Sequence, residues 1–147
     1  MHEREGDARD SAMAAAGRAL AQRDRSRAEL LARLASTAPA EIAAEVVADL
    51  ERMGYVDDKR LAASLAARRL EAGWGSLRIA ADLERLGVSG SEVVADAERA
   101  EREAATALLG SRHARGRTPA QRFGLLARRG FLPETIEDVL ASDAEPA

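Results

Sequence analysis

Cysteine is absent from this chain of 147 residues, and histidine occurs only twice, at His2 and His113. Disulfide bonds and thiolate zinc sites are therefore excluded. Neither histidine has a second imidazole at the spacing of a metal-ligand pair, so the sequence predicts no metal site. Because no nucleophile is paired with a base and no glycine-rich phosphate loop is present, we expect neither enzyme activity, nor a cofactor, nor a small-molecule substrate.

Aromatic residues are also scarce, at 3% of the chain, although 46% of its residues are hydrophobic. A core with so few large side chains has to be built from Ala and Leu packed between helices. No apolar run approaches the roughly 20 residues that span a bilayer, and residues 1–10 are rich in charge. We therefore expect a cytoplasmic protein with no signal peptide and no membrane contact.

The sequence contains no strand patterns, but it carries clear signals for helix starts. Three Ser or Thr residues are followed, three positions later, by Glu or Gln, which is the pattern of a capping box at a helix N-terminus. Each precedes an apolar stripe at helical spacing. The pairs are Ser26 with Glu29, Ser89 with Glu92, and Thr118 with Gln121.

A short pattern repeats along the chain. Leu34, Leu83 and Leu126 are each followed four residues later by Gly or Ala, and they stand 49 and 43 residues apart. Such a period is typical of a helical array. The sequence predicts an all-α fold, an elongated array of three tandem three-helix repeats over residues 12–56, 57–97 and 98–142. A disordered tail over residues 1–11 and an acidic tail over residues 143–147 flank the array.

Several residues are predicted to fix the turns between helices. Glycines are predicted to end three of the helices, and the first of these glycines is Gly54. Asp57 is predicted to cap the helix that follows Gly54. Two aromatic residues that follow such glycines are predicted to be buried in the core. Trp74, between two glycines, is predicted to pack where two helices meet; the alternatives are stacking on a base and insertion into a partner. The three glycines are Gly54, Gly87 and Gly130, and the two aromatic residues are Tyr55 and Phe131.

Four segments together resemble one family. They are residues 25–30, residues 54–58 followed by Leu61, residues 73–79 with Leu83 and Gly87, and residues 129–131 with Ile136. In this order they are similar to the RecX family of recombination regulators, over about residues 19–140. The resemblance implies an all-helical chain of three three-helix repeats that lies in the groove of the RecA filament on single-stranded DNA. It also implies that the protein limits filament growth, ATP hydrolysis, strand exchange and the SOS-inducing coprotease activity of RecA.

Arginine is the residue type that we expect to contact the partner. The net charge is −3, yet residues 104–133 carry six arginines and no acidic residue. Arginine pairs with carboxylates and phosphates alike, so these groups favour contact with an acidic surface or with phosphate. The alternative is that they are solvated faces. The candidates are Arg25, Arg27 and Arg33 near Ser26; Arg68, Arg69 and Arg78; and Arg112, Arg115, Arg117, Arg122, Arg128 and Arg129.

Two other classes of function stay open at this point. A stand-alone helical DNA-binding protein would use its three-helix units as helix-turn-helix modules, but a basic net charge would then be expected. An enzyme is the second class. We expect a monomer that binds the RecA filament on single-stranded DNA, with at most a weak direct contact to DNA.

Overall fold

The structure is a computed structural model that describes residues 2–144, with side chains from Glu3 onward. Within this range all regular structure is helical, which confirms the all-α prediction. The helices are α1 (His2–Gln22), α2 (Arg27–Leu34), α3 (Ala40–Arg52), α4 (Asp58–Glu71), α5 (Ser76–Arg85), α6 (Ser91–Leu109), α7 (Pro119–Arg128) and α8 (Pro133–Ala144).

The described residues form two compact units. The first unit comprises residues 2–61 together with Arg85–Val88, and the second comprises Ala62–Glu84 together with residues 89–144. Each unit has its own cluster of buried apolar side chains. The division into three repeats, and the boundaries given for them, stay a prediction.

In the first unit, α3 packs against α1 and α2. One face of α1 consists of alanines, of which Ala12, Ala16 and Ala19 are buried. Small side chains at these positions let the helix axes approach closely. Leu30 of α2 and Val46 of α3 are completely buried in the same cluster. The first core is therefore built from Ala, Val and Leu without an aromatic side chain.

The helix α1 begins much earlier than the sequence predicts. Residues 1–11 were expected to be a disordered tail, but residues 2–11 are helical. Ala8 continues the alanine stripe into this segment, and Arg9 forms ion pairs with Glu45 and Asp49 of α3. These contacts hold a segment whose composition alone looks unstructured. At the other end α8 continues to Ala144, and the rest of the predicted acidic tail, residues 145–147, lies outside the described residues.

In the second unit, α6 and α7 both pack against α8. Phe131 follows the last turn of α7 and is 1% exposed. It lies in a cluster with Leu126 of α7, Ile136 of α8 and Leu108 of α6. This cluster fixes the short connection between α7 and α8, on which the candidate site is built.

Tyr55 was expected to be a buried plug in the turn after α3, and this prediction is wrong. Its side chain is 62% exposed, whereas the next residue, Val56, is 3% exposed. Gly54 has φ +82°, and the amides of both Tyr55 and Val56 donate to the carbonyl of Leu50, at 2.9 and 3.3 Å. The turn at Phe131 has the same φ at Gly130 and the same bond from the Phe131 amide to the Leu126 carbonyl, yet here Val56 and not Tyr55 is the residue that enters the core.

Two of the three capping boxes form. Ser26 and Thr118 each accept a hydrogen bond from the third residue of their helix, whose side chain bonds back to the cap amide. The third box does not form, because Gly90 precedes α6 and Ser89 lies one residue too early. A Cβ at Gly90 would lie 2.4 Å from a terminal methyl carbon of Leu83, so a side chain at this position requires the Leu83 side chain to shift.

Gly87 marks another close approach, within the first unit. Its φ is +70°, and a Cβ added to it would lie 2.6 Å from the Cβ of Ala28. Beside it, the hydroxyl of Ser26 donates to the carbonyl of Leu86 at 2.5 Å while it caps α2. Ser26 is fully buried and both hydrogen-bonding roles of its hydroxyl are satisfied. The N-terminus of α2 is thus fastened to the chain at residues 86–87.

Candidate functional site

A buried carboxylate aligns two helices of the second unit. Glu101 of α6 has no exposed surface. One of its oxygens accepts hydrogen bonds from the amide of Ser76, at 3.1 Å, and from the Ser76 hydroxyl. The other accepts from the amide of Leu132 at 2.9 Å. Glu101 therefore satisfies free amides at the starts of both α5 and α8 and holds these two helix ends together.

Two glycines bring the start of α5 against the end of α7. The amide of Gly75 donates to the carbonyl of Arg129 at 2.8 Å, and the amide of Leu77 donates to that of Gly130 at 2.9 Å. A Cβ on Gly75 would lie 2.5 Å from the Gly130 oxygen, and a Cβ on Gly130 would lie 2.7 Å from the Arg78 amide. Only glycine permits this contact, and the contact places Arg78 beside Arg129.

Both of these arginines lie over the ring of Trp74. The guanidinium carbon of Arg78 is 4.4 Å from the ring centroid, and that of Arg129 is 4.6 Å from it. These distances are those of cation–π contacts. The ring is half-buried in the turn between α4 and α5. In this turn the backbone amide of Trp74 donates to the carbonyl of Arg69 at 2.8 Å. Trp74 thus orders two cations that lie about fifty residues apart in sequence.

Asp82 ties a third arginine into the group. Its carboxylate is 4% exposed, and it accepts hydrogen bonds from Nε of Arg69, at 2.7 Å, and from Nε of Arg78, at 3.1 Å. Two guanidinium groups are therefore held beside one nearly buried carboxylate. Charge-assisted hydrogen bonds of this kind fix the orientation of both partners.

A surface hollow completes the arrangement. It has a volume of about 280 Å³ and is lined by Leu65, Arg68, Arg69 and Ala72 of α4 and the turn that follows it. Nη1 of Arg129 donates to the carbonyl of Ala72 at 3.3 Å, so Arg129 reaches the wall of this hollow. We name the hollow and the residues around it the Trp74 cluster, which consists of Leu65, Arg68, Arg69, Ala72, Trp74, Arg78, Asp82 and Arg129.

A second basic surface is the connection between α6 and α7, residues 110–118, which we name the basic loop. Arg112 and Arg115 are exposed, and neither forms an ion pair with any described residue. Arg117 is different, because its Nε donates to the carbonyl of His113 at 2.7 Å and holds the loop closed. Gly116 has φ +75° with open space around it. The loop therefore presents two arginines that form no ion pair with a carboxylate of residues 3–144.

Two of the six arginines of residues 104–133, Arg122 and Arg128, lie on α7. Arg122 forms an ion pair with Asp143 of α8, and its Nε is buried with no hydrogen-bond partner among the described residues. Arg128 is exposed and forms no ion pair within residues 3–144. Of the six arginines in this part of the sequence, Arg129 alone belongs to the Trp74 cluster.

The arginines of the first unit are largely engaged within that unit. The side chain of Arg25 is only 9% exposed, and it donates to the carbonyl of Ala19 and to the side chain of Gln22 at the end of α1. Arg27 forms an ion pair with Glu51 at 3.1 Å. Arg33 is exposed and has no ion pair in the described part of the chain. The contact that the sequence predicts for this group is therefore best supported for Arg33.

Two aspartates organise the start of α4. Asp57 accepts a hydrogen bond from the amide of Arg60 at 3.1 Å and so caps the helix. Asp58 accepts a hydrogen bond from the amide of Arg27 at 2.9 Å, at the N-terminus of α2. The adjacent carboxylates are thus both used in capping, a role that favours negative charge at helix N-termini.

Glu29 is the group in the first unit whose titration is shifted. Burial raises the pKa of Glu29, but the hydrogen bonds from the Arg23 side chain and the Ser26 amide, with the charges of Arg23 and Arg25, outweigh it. The net effect is a pKa below the ordinary value of 4.5. The carboxylate is therefore stabilised in its charged form by the same contacts that close the Ser26 capping box.

Neither a metal centre nor a membrane segment is evident in the described residues. No three His, Asp or Glu side chains among them are grouped closely enough to hold a metal ion. None of their helices is long and apolar enough to cross a membrane.

The sequence did not indicate Asp82 or Glu101 as organising residues. The segment around Glu101 reads as a charged, solvated stretch of helix, yet Glu101 lies four residues from both Ala97 and Ala105, which are buried. That spacing is the signal that could have found it. Asp82 lies four residues after Arg78, a spacing that predicts an ion pair on a helix but not the second partner, Arg69.

The fold and these surfaces define a class of protein: a helical protein that presents ordered arginines on its surface. Comparisons identify the particular family. The sequence model described as "RecX, second three-helix domain" matches residues 57–95. A "Regulatory protein RecX" of Chromohalobacter salexigens is 37% identical over 151 aligned positions, which cover 96% of this chain and 95% of the relative.

Another "Regulatory protein RecX", of Mycolicibacterium vanbaalenii, is 35% identical over 86% of this chain and 78% of its own length. The fold is also similar to two solved structures. A RecX from Lactobacillus salivarius gives a TM-score of 0.77 at 19% identity and covers 93% of this chain and 97% of that one. A "regulatory protein RecX" gives 0.72 at 20% identity, over 91% and 73%. The chain belongs to the RecX family.

Proposed function

We propose that this protein regulates the RecA recombinase by binding in the groove of the RecA filament on single-stranded DNA. Bound there, it limits filament growth and thereby ATP hydrolysis, strand exchange and SOS coprotease activity. The observation that carries the proposal is the match to the Chromohalobacter salexigens protein, named a regulatory protein, over nearly the full length of both chains. The regulator itself supplies binding surfaces to this process.

The arrangement of charge supports this proposal. A filament of protein on DNA offers acidic side chains and phosphates within one groove, and arginine pairs with both. The second unit carries two separate arginine surfaces, the Trp74 cluster and the basic loop. Two surfaces on one chain add their binding free energies, because the second contact forms within the complex already made by the first.

A binding experiment tests the partner. The anisotropy of labelled single-stranded DNA is measured while the protein is added, once with DNA alone and once with DNA covered by RecA. The proposal predicts saturable binding to the RecA–DNA complex at protein concentrations that leave the DNA alone unbound. Equal binding to both would contradict it and would favour a stand-alone DNA-binding protein.

The basic loop is the observation that favours a direct contact with DNA as a second candidate function. Arg112 and Arg115 project from it without ion-pair partners among the described residues. Phosphate contacts of this type weaken steeply with salt, because each one releases counterions from the DNA. Replacing both residues by Gln should reduce the salt dependence of any DNA binding. The matched control removes two charges elsewhere, by Arg4→Gln together with Arg18→Gln, since both residues are exposed on α1.

A further inference from the structure

The Trp74 cluster has arginine donors that the fold leaves unused. Arg69 bonds Asp82 through Nε only, and Arg68 bonds the carbonyl of Ser64 through Nε only, at 3.3 Å. Their terminal nitrogens have no acceptor among the described residues. Both side chains line the same hollow of about 280 Å³. The hollow is therefore bordered by guanidinium donors that can receive an anion.

The cluster is also ordered before any ligand arrives. Trp74 holds Arg78 and Arg129, and Asp82 holds Arg69 and Arg78. Side chains that are already fixed lose less conformational freedom when they bind, which makes each contact more favourable. Tryptophan and arginine are also the residues most enriched among those that dominate the binding energy of protein interfaces.

The chemistry of the hollow favours a carboxylate side chain over a DNA phosphate. Leu65 and Ala72 give it an apolar part, which matches the methylene groups of a glutamate or aspartate but has no complement in a phosphodiester. The hollow takes a single side chain, since pockets for drug-sized ligands have about 300–1,000 Å³. Asp82 shows that a carboxylate fits between arginines of this cluster.

We propose that the Trp74 cluster is a docking site for an acidic side chain of a partner protein, with the carboxylate bound by Arg68 and Arg69 and the stem packed on Leu65 and Ala72. The proposal deepens the proposed function, in which that partner is a RecA subunit. In this proposal the basic loop is the surface that contacts phosphate. The two arginine surfaces of the second unit thus have different ligands.

Trp74 provides the readout, because it is the only tryptophan of the chain. The emission of the full chain is recorded while an oligoglutamate peptide, an oligoglutamine peptide or an oligothymidylate of the same charge as oligoglutamate is added. We expect a saturable change with oligoglutamate and none with oligoglutamine. A stronger response to oligothymidylate would overturn the proposal in favour of a nucleic-acid site, and a response to neither anion would show that the cluster is structural only.

Variants separate specific docking from general attraction. Arg68→Gln removes one donor from an exposed position, and we expect about tenfold weaker oligoglutamate binding, as for one charge-assisted contact. Arg18→Gln, on the first unit, removes the same charge from an exposed position and should bind like the wild type. Equal weakening by both variants would contradict the proposal, because the effect would then follow net charge alone.

The same variants distinguish this inference from the proposed function. RecA is absent from the peptide titration, so its outcome does not depend on whether the protein regulates RecA. In the anisotropy experiment with RecA-covered DNA, Arg68→Glu should bind at least about tenfold more weakly than Arg18→Glu. If both bind the filament like the wild type, the proposed function stands and the docking site is overturned.

Discussion

Glu101 offers the sharpest test of how the second unit is assembled. Its side chain is fully buried and receives the Ser76 amide, the Ser76 hydroxyl and the Leu132 amide. Replacement by Ala leaves two buried amides without an acceptor and creates a cavity. Each orphaned amide costs roughly 1–3 kcal/mol, and together with the cavity we expect a total loss of about 3–5 kcal/mol from the free energy of unfolding.

Glu101→Gln is the informative intermediate. Glutamine has nearly the same shape and keeps one oxygen for Ser76, but it places an NH₂ group where the Leu132 amide needs an acceptor. One contact is lost and the cavity is absent, so we expect a loss of about 1–3 kcal/mol. Urea unfolding followed by circular dichroism measures both variants.

Glu103→Gln is the matched control for this pair, because Glu103 lies on the same helix and is exposed. It should change the free energy of unfolding by less than about 0.5 kcal/mol. The reasoning is refuted if Glu101→Ala unfolds at the same urea concentration as Glu103→Gln. It is also refuted if Gln and Ala at position 101 are equally destabilising, since the remaining oxygen would then contribute nothing.

Four substitutions in the first unit give further predictions. Gly54→Ala, in open space at φ +82°, should lower the free energy of unfolding by about 1–2 kcal/mol through backbone strain. Gly87→Ala should lower it, in urea unfolding, by about 1–3 kcal/mol more than Gly54→Ala does, because its Cβ also meets Ala28. Tyr55→Ala should shift the melting temperature by less than two degrees or so, because the ring is exposed; a sharp drop would contradict the exposed position. The pKa of Glu29 is lowered on folding, so its contribution is complete above 4.5 and is lost as the pH falls through the lower folded pKa. Glu29→Gln should therefore flatten the acid limb of a stability–pH curve, and an unchanged limb would contradict this.

Local signals in the sequence predicted the helix starts well where neighbouring residues decide where the helix begins. The Ser26 and Thr118 capping boxes follow from residues that stand three positions apart. The Ser89 box failed because α6 begins one residue later, after Gly90, whose backbone packs closely on Leu83 of α5. Capping motifs are local, and their failures come from tertiary contacts.

Burial was harder to predict than helix formation. Tyr55 and Phe131 both follow a helix-ending glycine, yet the first is exposed and the second is buried. The sequence contains no feature that distinguishes them, because the difference depends on which residue the turn directs toward the core. Glu101 was missed for a related reason: a charged residue on an apolar stripe reads as solvated until its hydrogen-bond donors, Ser76 and Leu132, are known.

The candidate site was predictable in composition but not in grouping. Trp74 and the arginines around it stand out in the sequence as separate features, and Arg129 was assigned with the arginines that precede it. The structure joins Arg129 to Arg78 through the contact between Gly75 and Gly130. Such a backbone contact between two turns has no local sequence signature, since glycine is expected in turns in any case.

The rate of ATP hydrolysis by RecA on single-stranded DNA, measured while this protein is added, tests the central claim most directly. In the proposed function one chain contacts a repeating filament through separate surfaces, and we therefore predict that the rate falls at amounts of protein below those of RecA. An unchanged rate with equal amounts of the two proteins would contradict the account.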